Sequence, residues 1–483
     1  MTALLLALIC VTNPVAVTSN KTVQVVTNYV VAYSTNVIVC TEPPPASGAW
    51  VRLVGGAGVD SAYGLATDKA TNSIVVGSFQ GTAYVGDVML TSAGGSDIFV
   101  VKLDSSGTVL WAQRFGGTGD DVALGVAVDK RNGEVAVTGY FSGTTAFGVT
   151  SYTSTAFKDA FLVRLTSGGS VLWSKRIGTS DWSGSPDDYG YGVAVDPNNG
   201  DVVATGQFAC SGLYDFGAGT VVVYSGVNTF LTRYDALGNL RWAKSMKSFS
   251  QDSGRAVAVD AGGNVLVTGQ TQGPIDLGGG TLPYITNPQY SNGYVGKYTA
   301  SGGYVWSLAY GSTYGLTEGL GIAVDGSGDV AVAGRFIGVV GFGNGISMTG
   351  SLGATGAYLV KLSGVSGLAQ WARPLVANQN AAGRGIVIDG AGNISVVGEF
   401  STSLNLGGVV LVSSGGNDGF VAQYSAGGVY QTAQRFGGGS GDGGNSLAVD
   451  AAGARLLAGY TSGGSFGSTN VITQGWDGFV WRQ

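Results

Sequence analysis

Short runs of β-branched and aromatic residues, separated by turns rich in glycine and asparagine, make up the chain from residue 49 to its end. Within each run apolar positions alternate with small or polar ones, and no stretch shows the 3.6-residue spacing of a helix. A tryptophan recurs at near-equal intervals, at Trp50, Trp111, Trp173, Trp242, Trp306 and Trp371, and Thr432 takes its place in a seventh copy. The pattern predicts an all-β repeat protein.

Each copy of the repeat contains the signals for four short strands. The first strand ends in an aspartate before a Gly/Asn turn, at Asp68, Asp129, Asp196, Asp260, Asp325, Asp389 and Asp450. The second strand ends in a glycine, at Gly77, Gly139, Gly206, Gly269, Gly334, Gly398 and Gly459. A Phe-Gly or Leu-Gly pair follows, then a strand opening with Asp or Asn, and finally the tryptophan strand. Four antiparallel strands repeated seven times predict a seven-bladed β-propeller.

The two ends of the repeat indicate how the ring closes. Residues 477–483 match the third strand of the seventh copy, and no fourth strand follows them. Residues 49–54 form a tryptophan strand that precedes the first copy. Pairing this N-terminal strand with the C-terminal blade leaves no blade open. We therefore expect a single propeller over residues 49–483.

The repeat resembles the SBBP repeat, a seven-bladed β-propeller repeat of secreted and cell-surface prokaryotic proteins. The resemblance rests on the recurring pattern GVAVDxxGNVxVTG…FG…DAFxxKLDxxGxVLW and covers residues 49–483. It implies an extracellular, non-catalytic module. It implies no particular ligand, because members of that family mostly lack an assigned activity.

The composition of the 483 residues excludes several classes of protein. Histidine is absent, so the chain contains no Ser-His-Asp triad, no His-ligated zinc and no haem bound through histidine. The net charge of −6 argues against nucleic acid and anionic membrane surfaces as partners. Three scattered cysteines provide neither a disulfide scaffold nor a CxxC metal site. We expect no cofactor, no metal and no enzymatic activity.

Two segments precede the predicted propeller. Ala3–Val11 is an apolar run too short to span a bilayer, and residues 1–20 resemble a secretory signal peptide, although such a segment is also compatible with burial in a partner. Residues 21–48 combine a β-prone arm with a Pro-rich spacer. The arm residues expected to pair with another chain are Val23, Val25, Tyr29, Val31, Tyr33, Val37 and Val39. We predict a secreted protein, outside the cell or on its surface, and pairing of Cys40 with Cys210 stays open.

Charged residues recur with the repeat in two places. The strand-end aspartates are expected to form Asx turns, and a ring of calcium ligands is the alternative. Most third strands carry a cation, at Lys102, Arg164, Arg233, Lys297, Lys361 and Arg482. We expect these cations on the solvated blade surface or as partners between blades.

A further acidic set precedes the first strand of most copies. Its members are Asp60, Asp121, Asp188, Asp252 and Asp442. In a propeller this connection lies at one mouth of the central channel. Carboxylates there either raise a negative potential that attracts a cation or cap backbone amides between blades.

Two insertions break the symmetry of the repeat. Residues 179–189 enlarge the loop before the third blade, and residues 283–293 enlarge a loop of the fourth. Aromatic rings beside carboxylates suit a sugar ligand, and they equally suit a protein contact or ordinary loop packing. The ligand-binding residues predicted here are Trp182, Asp188, Tyr189 and Tyr314.

The sequence therefore predicts a non-enzymatic extracellular structural protein. The β-prone arm is expected to pair with a strand edge of a neighbouring copy and to build a homopolymeric fibre or surface layer. Such a contact joins different surfaces of two copies, so it propagates unless it closes. The alternative is a glycan- or ligand-binding surface adhesin that uses one mouth of the propeller. The expected partners are other copies of the chain and, in the alternative, extracellular glycans.

Overall fold

The computed structural model describes residues 48–483, except 155–156, 179–186, 210–211, 217–219, 224–225, 247, 249–250 and 286–288, and the backbone of four strands before residue 48. The chain divides into two compact units, residues 1–50 and 51–483. Strands, turns and bends account for the described residues, and no helix suited to crossing a membrane occurs among them. The protein is all-β, as the sequence pattern predicts.

The first unit contains two β-hairpins. β1 (Val15–Ser19) pairs antiparallel with β2 (Thr22–Val26), and β3 (Val30–Ser34) pairs antiparallel with β4 (Val37–Thr41). The expected arm residues are distributed as Val23 and Val25 on β2, Val31 and Tyr33 on β3, and Val37 and Val39 on β4. Tyr29 lies outside the described residues, as do Cys10 and Cys210. The described strands of this unit pair locally, β1 with β2 and β3 with β4, so an extended arm is not confirmed and stays a prediction.

The remaining strands lie in the second unit, except that Trp50, the first residue of β5, is counted with the first unit. The earlier ones are β5 (Trp50–Gly56), β6 (Ser61–Thr67), β7 (Ser73–Val85), β8 (Val88–Leu103), β9 (Val109–Phe115), β10 (Val122–Val128), β11 (Val135–Phe141), β12 (Thr144–Phe147), β13 (Thr150–Thr153), β14 (Asp159–Leu165), β15 (Val171–Ile177), β16 (Tyr189–Val195), β17 (Val202–Ala209), β18 (Gly212–Asp215), β19 (Thr220–Val223), β20 (Val227–Tyr234) and β21 (Leu240–Ser245). The later ones are β22 (Asp252–Val259), β23 (Val265–Thr271), β24 (Asn292–Tyr298), β25 (Tyr304–Ser312), β26 (Thr317–Val324), β27 (Val330–Phe336), β28 (Val339–Gly341), β29 (Ser347–Thr349), β30 (Gly356–Leu362), β31 (Ala369–Ala377), β32 (Ala381–Ile388), β33 (Ile394–Asn405), β34 (Val410–Tyr424), β35 (Tyr430–Phe436), β36 (Gly443–Val449), β37 (Arg455–Thr461), β38 (Gly464–Phe466), β39 (Thr469–Val471) and β40 (Asp477–Arg482).

Groups of four strands pair antiparallel and form the blades. The groups are β6-β7-β8-β9, β10-β11-β14-β15, β16-β17-β20-β21, β22-β23-β24-β25, β26-β27-β30-β31, β32-β33-β34-β35 and β36-β37-β40-β5. The first strand of each group contacts the first strand of the next group, and β36 contacts β6. The sheets therefore surround a common centre, which is the arrangement of a β-propeller. Each blade is named below by its first strand.

The glycine at the end of each second strand is required by a close approach to the first strand. A Cβ on Gly334 would lie 1.9 Å from the Glu318 carbonyl oxygen and 2.7 Å from the Tyr358 ring. The equivalent glycines of the other blades meet a backbone oxygen at 1.9 or 2.0 Å and an aromatic ring of the third strand. No side chain fits there, which explains why the repeat places glycine at this position and an aromatic residue opposite it.

The Phe-Gly or Leu-Gly pair folds the connection between the second and third strands back onto the core. The apolar side chains of these pairs are buried at Phe147, Phe216, Leu277, Phe342, Leu406 and Phe466. Gly148 has a φ of 65°, in the left-handed region that favours glycine, and so lets the chain turn directly after Phe147. Phe147 belongs to a hydrophobic cluster with Val76 of the preceding blade, so the core lies between neighbouring blades.

The strand-end aspartates form Asx turns, as expected, and they also bind the third-strand cations. Asp260 Oδ1 accepts hydrogen bonds of 2.9 Å from the amides of Gly262 and Asn264. The ion pairs are Lys102–Asp68, Arg164–Asp129, Arg233–Asp196, Lys297–Asp260, Lys361–Asp325 and Arg482–Asp450. Lys297 also donates to the Gly364 carbonyl of the next blade at 2.9 Å. These side chains are largely buried, so the expectation of a solvated surface is wrong. The ion pairs lie within single blades, and contact between blades comes from hydrogen bonds to backbone carbonyls, as Arg164, Arg233 and Lys297 make.

The recurring tryptophans connect neighbouring blades. Their indole Nε1 atoms donate hydrogen bonds of 3.0 Å to turn carbonyls of the next blade, in the pairs Trp111–Ser167, Trp173–Ala236, Trp242–Ala300, Trp306–Gly364 and Trp371–Ala426. An indole has one donor and a large apolar ring, so it suits a site where packing and one hydrogen bond coincide. These residues therefore serve the scaffold.

Candidate functional site

The acidic set expected at the channel mouth is buried. Asp60, Asp121, Asp188, Asp252 and Asp442 are each at most 1% exposed. Asp442 accepts hydrogen bonds from the amides of Gly438 (2.8 Å) and Ser462 (2.9 Å). Asp60 and Asp121 also accept from backbone amides, and Asp188 accepts from the Tyr214 hydroxyl at 3.1 Å. These four carboxylates satisfy internal donors and present no open ring to a cation; Asp252 differs from them.

Variation between blades is concentrated directly after the second-strand glycine. The residues there are Ser78, Tyr140, Gln207, Gln270, Arg335, Glu399 and Tyr460, which we call the mouth ring. Each pairs with a residue near the start of a first strand, as Gln270 does with Ser253. Because the first strands lie at the centre of the propeller, the mouth ring surrounds one opening of the central channel.

A β-bulge in each first strand leaves one residue outside the hydrogen-bond ladder. These residues are Tyr63, Leu124, Tyr191, Arg255, Leu320, Arg384 and Asn445, which we call the bulge ring. They are half-buried and reach the neighbouring blade, as Asn445 does by donating to the Ala62 carbonyl at 3.0 Å. The bulge ring thus lines the channel just inside the mouth ring.

A cavity of about 310 Å³ opens at this mouth between the β16 and β22 blades. We call it the mouth pocket, and its lining residues are Asp187, Tyr189, Gln207, Val227, Gln251, Asp252, Ser253 and Gln270. Most are polar but uncharged, and they come from strands and loops of two blades. The pocket lies at the lower end of the size range of small-molecule sites.

One wall of the mouth pocket combines aromatic rings with an ion pair. The Tyr189 ring lies edge-on to Tyr140 (centroids 4.9 Å apart) and parallel to Tyr191 (5.5 Å). Lys158 Nζ lies 4.8 Å from the Tyr140 ring centroid and 3.5 Å from the Asp187 carboxylate. The Tyr189 hydroxyl donates to Asp187 at 2.7 Å. Burial, together with this bond to Asp187, raises the pKa of Tyr189 well above its usual value, so Tyr189 remains a protonated donor at neutral pH.

The other wall carries hydrogen-bonding atoms that the protein itself does not use. Both Asp252 carboxylate oxygens, Ser253 Oγ and Gln270 Oε1 lack a hydrogen bond of good distance and angle to the described residues, although Thr271, Ser248 and the Gln272 amide make weaker polar contacts with Asp252. Asp252 and Ser253 are each 1% exposed. Burial raises the pKa of Asp252 to about 6, although the nearby Thr271 and Ser248 side chains oppose this effect. A buried polar atom without a hydrogen-bond partner lowers the stability of the folded protein by about 1–3 kcal/mol. A ligand that donates hydrogen bonds to this wall would recover part of that stability.

Across the channel, the charged residues satisfy one another. Arg335 binds Glu318 at 2.6 Å, and Arg384 binds Glu399 at 2.6 Å. Tyr460 also donates to Glu399, at 2.5 Å. The charges on this side of the mouth are therefore paired, and the buried atoms left without a partner there are Arg384 Nε and Thr317 Oγ1, both within the described residues.

Of the four residues expected to bind a ligand, Tyr189 lines the mouth pocket. Asp188 points into the protein toward Tyr214, and its neighbour Asp187 lines the pocket instead. Tyr314 is 64% exposed and does not line this pocket, and Trp182 lies outside the described residues. Gln207, Gln270 and Lys158 were not predicted from the sequence. The change of residue type after each strand glycine was a usable signal for Gln207 and Gln270, whereas Lys158 precedes a third strand and had no such signal.

The described part of the chain brings no three carboxylate or thiol groups together as ligands for a metal ion. Asp325 and Asp329, whose spacing is that of half an EF-hand loop, contact a lysine instead, because Lys361 Nζ lies 2.9 Å from Asp325 and 3.8 Å from Asp329. The lining of the mouth pocket supplies hydrogen-bonding groups, an aromatic ring and charged side chains.

No family model matches this chain. It is 21% identical over 346 residues to the uncharacterized WD repeat-containing protein L264 of Acanthamoeba polyphaga mimivirus, and the match covers 59% of this chain and 25% of that protein. The chain therefore spans about a quarter of the relative's length.

Solved structures give matches of low identity. The Neurospora crassa Pan2 WD40 domain has 9% identity and a TM-score of 0.38, covering 88% of this chain and 89% of that one. A europium-containing methanol dehydrogenase has 10% identity and a TM-score of 0.41, covering 95% and 90%. Saccharomyces cerevisiae Sqt1 has 8% identity and a TM-score of 0.41, covering 89% and 98%. Similarities of this extent assign no activity to this chain.

Proposed function

We propose that this protein is a seven-bladed β-propeller that binds a hydroxyl-bearing small molecule, such as a saccharide, in the mouth pocket without transforming it. The observation that carries the proposal is the group of unused acceptors on one wall, Asp252, Gln270 and Ser253. A ligand that donates hydrogen bonds supplies what this wall lacks, and saccharide hydroxyls are such donors. Tyr189 on the facing wall adds an aromatic surface.

The same residues favour binding over catalysis. Tyr189 keeps its proton at neutral pH, and the Lys158 ammonium is held by Asp187, so neither group is poised as a base. Asp252 is the pocket carboxylate whose raised pKa suits an acid catalyst. Conversion of a bound saccharide that Asp252→Asn abolishes would replace the binding proposal with an enzymatic one.

The test of binding uses a glycan array followed by calorimetric titration of the hits. We expect Tyr189→Ala and Gln270→Ala to weaken binding at least tenfold, about 1.4 kcal/mol each. Tyr189→Ala is also expected to lower the melting temperature, because its ring packs on Tyr140 and Tyr191, so binding is measured where each variant is folded. Gln113→Ala is the matched control, since Gln113 lies on the outer strand β9 away from the mouth pocket. An array without hits, or variants that bind like the wild type, would overturn the proposal.

A second proposal is that the protein is secreted and assembles into a fibre or surface layer through residues 15–41. The supporting observation is that β1-β2 and β3-β4 are separate two-stranded sheets. Isolated two-stranded hairpins are marginally stable in water, and unpaired edges add readily to other strands. Pairing with strands of a neighbouring copy would stabilise the hairpins and would satisfy the hydrogen-bonding groups of their unpaired edges.

Electron microscopy of two forms of the chain tests this second proposal. The full chain is expected to form filaments at micromolar concentration, and a chain that begins at Ser47 is expected to give single particles. The shortened chain keeps the second unit complete, so it also serves as a control for folding. Single particles from both chains would contradict assembly through the hairpins.

A further inference from the structure

Arg255 is a half-buried cation of the bulge ring, and no carboxylate in the described part of the chain forms an ion pair with it. Its guanidinium lies over the Tyr191 ring, 4.4 Å from the centroid, and its buried Nε has no hydrogen-bond partner among the described residues. The ion pairs found within the described residues do not include Arg255. An aromatic face attracts a guanidinium but leaves its donors unused.

The other cations around the mouth are all paired. Lys158 binds Asp187 at 3.5 Å, Arg335 binds Glu318 at 2.6 Å and Arg384 binds Glu399 at 2.6 Å. Arg384 is the closest comparison, because it occupies the equivalent bulge position of the β32 blade. The Nε atoms of both arginines lack a hydrogen-bond partner among the described residues, so Arg255 differs from Arg384 in having no carboxylate partner there.

Arg255 lies directly beside the mouth pocket. Ser253, two residues earlier on β22, lines the pocket. Tyr191, on which Arg255 stacks, donates from its hydroxyl to Gln207 at 3.2 Å, and Gln207 lines the pocket too. An unpaired guanidinium next to unused acceptors fits a ligand that carries an anionic group as well as hydroxyl groups.

We propose that the mouth pocket takes an anionic saccharide and that Arg255 binds its anionic group. The planar fork of arginine donors matches carboxylate and phosphate oxyanions, and charge-assisted bonds of this kind are stronger than neutral ones. A uronate carboxylate and a sugar phosphate share this oxyanion chemistry. The inference rests on the proposed function and specifies the ligand class for the same site.

The test is calorimetric titration with methyl glucuronide, glucose 6-phosphate and methyl glucoside. The wild type is expected to bind at least one anionic probe more than tenfold tighter than the neutral one, and added salt is expected to narrow the difference. Which of the two anionic probes binds tighter identifies the source of the oxyanion. Arg255→Met is expected to remove the preference while leaving neutral binding in place, and Arg255→Lys is expected to retain part of it.

Arg384→Met is the matched control, since it removes a paired cation from the equivalent bulge position. It is expected to leave the preference unchanged. Equal affinity for neutral and anionic probes, or a preference that survives in Arg255→Met, would overturn this inference alone. Absence of binding by all three probes would remove the saccharide site, and with it the proposed function.

Discussion

Replacing Arg233 by methionine is expected to destabilise the propeller by about 3–5 kcal/mol, because the change leaves the buried Asp196 carboxylate without a cation and leaves the buried Asp201 with only the exposed Arg241. Arg233 Nε lies 2.9 Å from Asp201, and Nη2 binds Asp196. Nη1 donates to the Gly263 carbonyl of the next blade at 2.9 Å. All three side chains of the ion pairs are at most 2% exposed. The measurement is the free energy of unfolding from a urea titration followed by tryptophan fluorescence.

Arg241→Met is the matched control for this prediction. Arg241 contacts the same Asp201, at 2.8 Å, but its side chain is 52% exposed. Exposed ion pairs contribute at most about 1 kcal/mol, so this variant is expected to lose little stability. Similar losses in the two variants would show that burial does not decide the strength of these pairs.

The repeating part of the fold was predictable because it depends on local chemistry. The aspartate of each Asx turn bonds its own downstream amides, as Asp260 bonds Gly262 and Asn264, and such bonds need no distant partner. The strand glycine and the aromatic residue opposite it likewise follow from contact between adjacent strands, as in Gly334 and Tyr358. Each copy of the repeat therefore contains the signals for its own four strands, and the same four strands could be inferred from every copy.

The candidate site was less predictable because it depends on the conformation of the loops and on contacts between different blades. Asp187 and Asp188 are adjacent and identical in type, yet Asp187 faces the mouth pocket and Asp188 is buried against Tyr214. Nothing in the local sequence distinguishes them. The residues that line the pocket, such as Gln207 and Gln270, come from separate blades and come together only when the propeller forms. Comparing the copies position by position would have identified them, since the mouth ring varies where the scaffold does not.

The stability of the protein is expected to be greatest near about pH 4–5 and to fall as the pH rises towards 7. Burial is the main reason that the pKa values of Asp121, Asp252 and Asp477 are raised to about 6 from an ordinary 3.8. Between these values the folded chain holds protons that the unfolded chain has lost. The resulting stabilisation is fully present below about pH 3.8 and disappears as the pH rises through 6.

A different set of aspartates determines how the stability of the protein falls at acidic pH. Burial opposes ionisation of Asp68 and Asp260 too, but hydrogen bonds from Asn72 and Asn264 and the nearby lysines outweigh it and lower their pKa values. This contribution is present above pH 3.8 and is lost as the pH falls through the lowered values. Each pKa unit that separates the folded from the unfolded state is worth about 1.4 kcal/mol, so the two sets together give a stability maximum in mild acid.

Asp477→Asn is expected to raise the melting temperature at pH about 7.5 and to change it little at pH about 4.5, where Asp477 is protonated. Asp477 Oδ1 has no partner among the described residues, and the neighbouring Asp60 carboxylate adds to the effect of burial on its pKa. The chain itself supports the substitution, since Asn228 and Asn292 occupy the equivalent third-strand position in the β16 and β22 blades. The measurement is a pair of thermal unfolding curves at the two pH values.

Asp235→Asn provides the control for the pH experiment. Asp235 lies in an exposed turn, where hydrogen bonds from the Asn239 side chain and from the amides of Asn239 and Leu237 outweigh the small effect of burial and lower its pKa. Its carboxylate stabilises the turn at both pH values, so this variant is expected to lower the melting temperature slightly at each. A fall in melting temperature of Asp477→Asn at pH about 7.5 would mean that the buried carboxylate of Asp477 stabilises the blade closed by β5, and that the raised pKa of Asp477 does not contribute to the pH optimum.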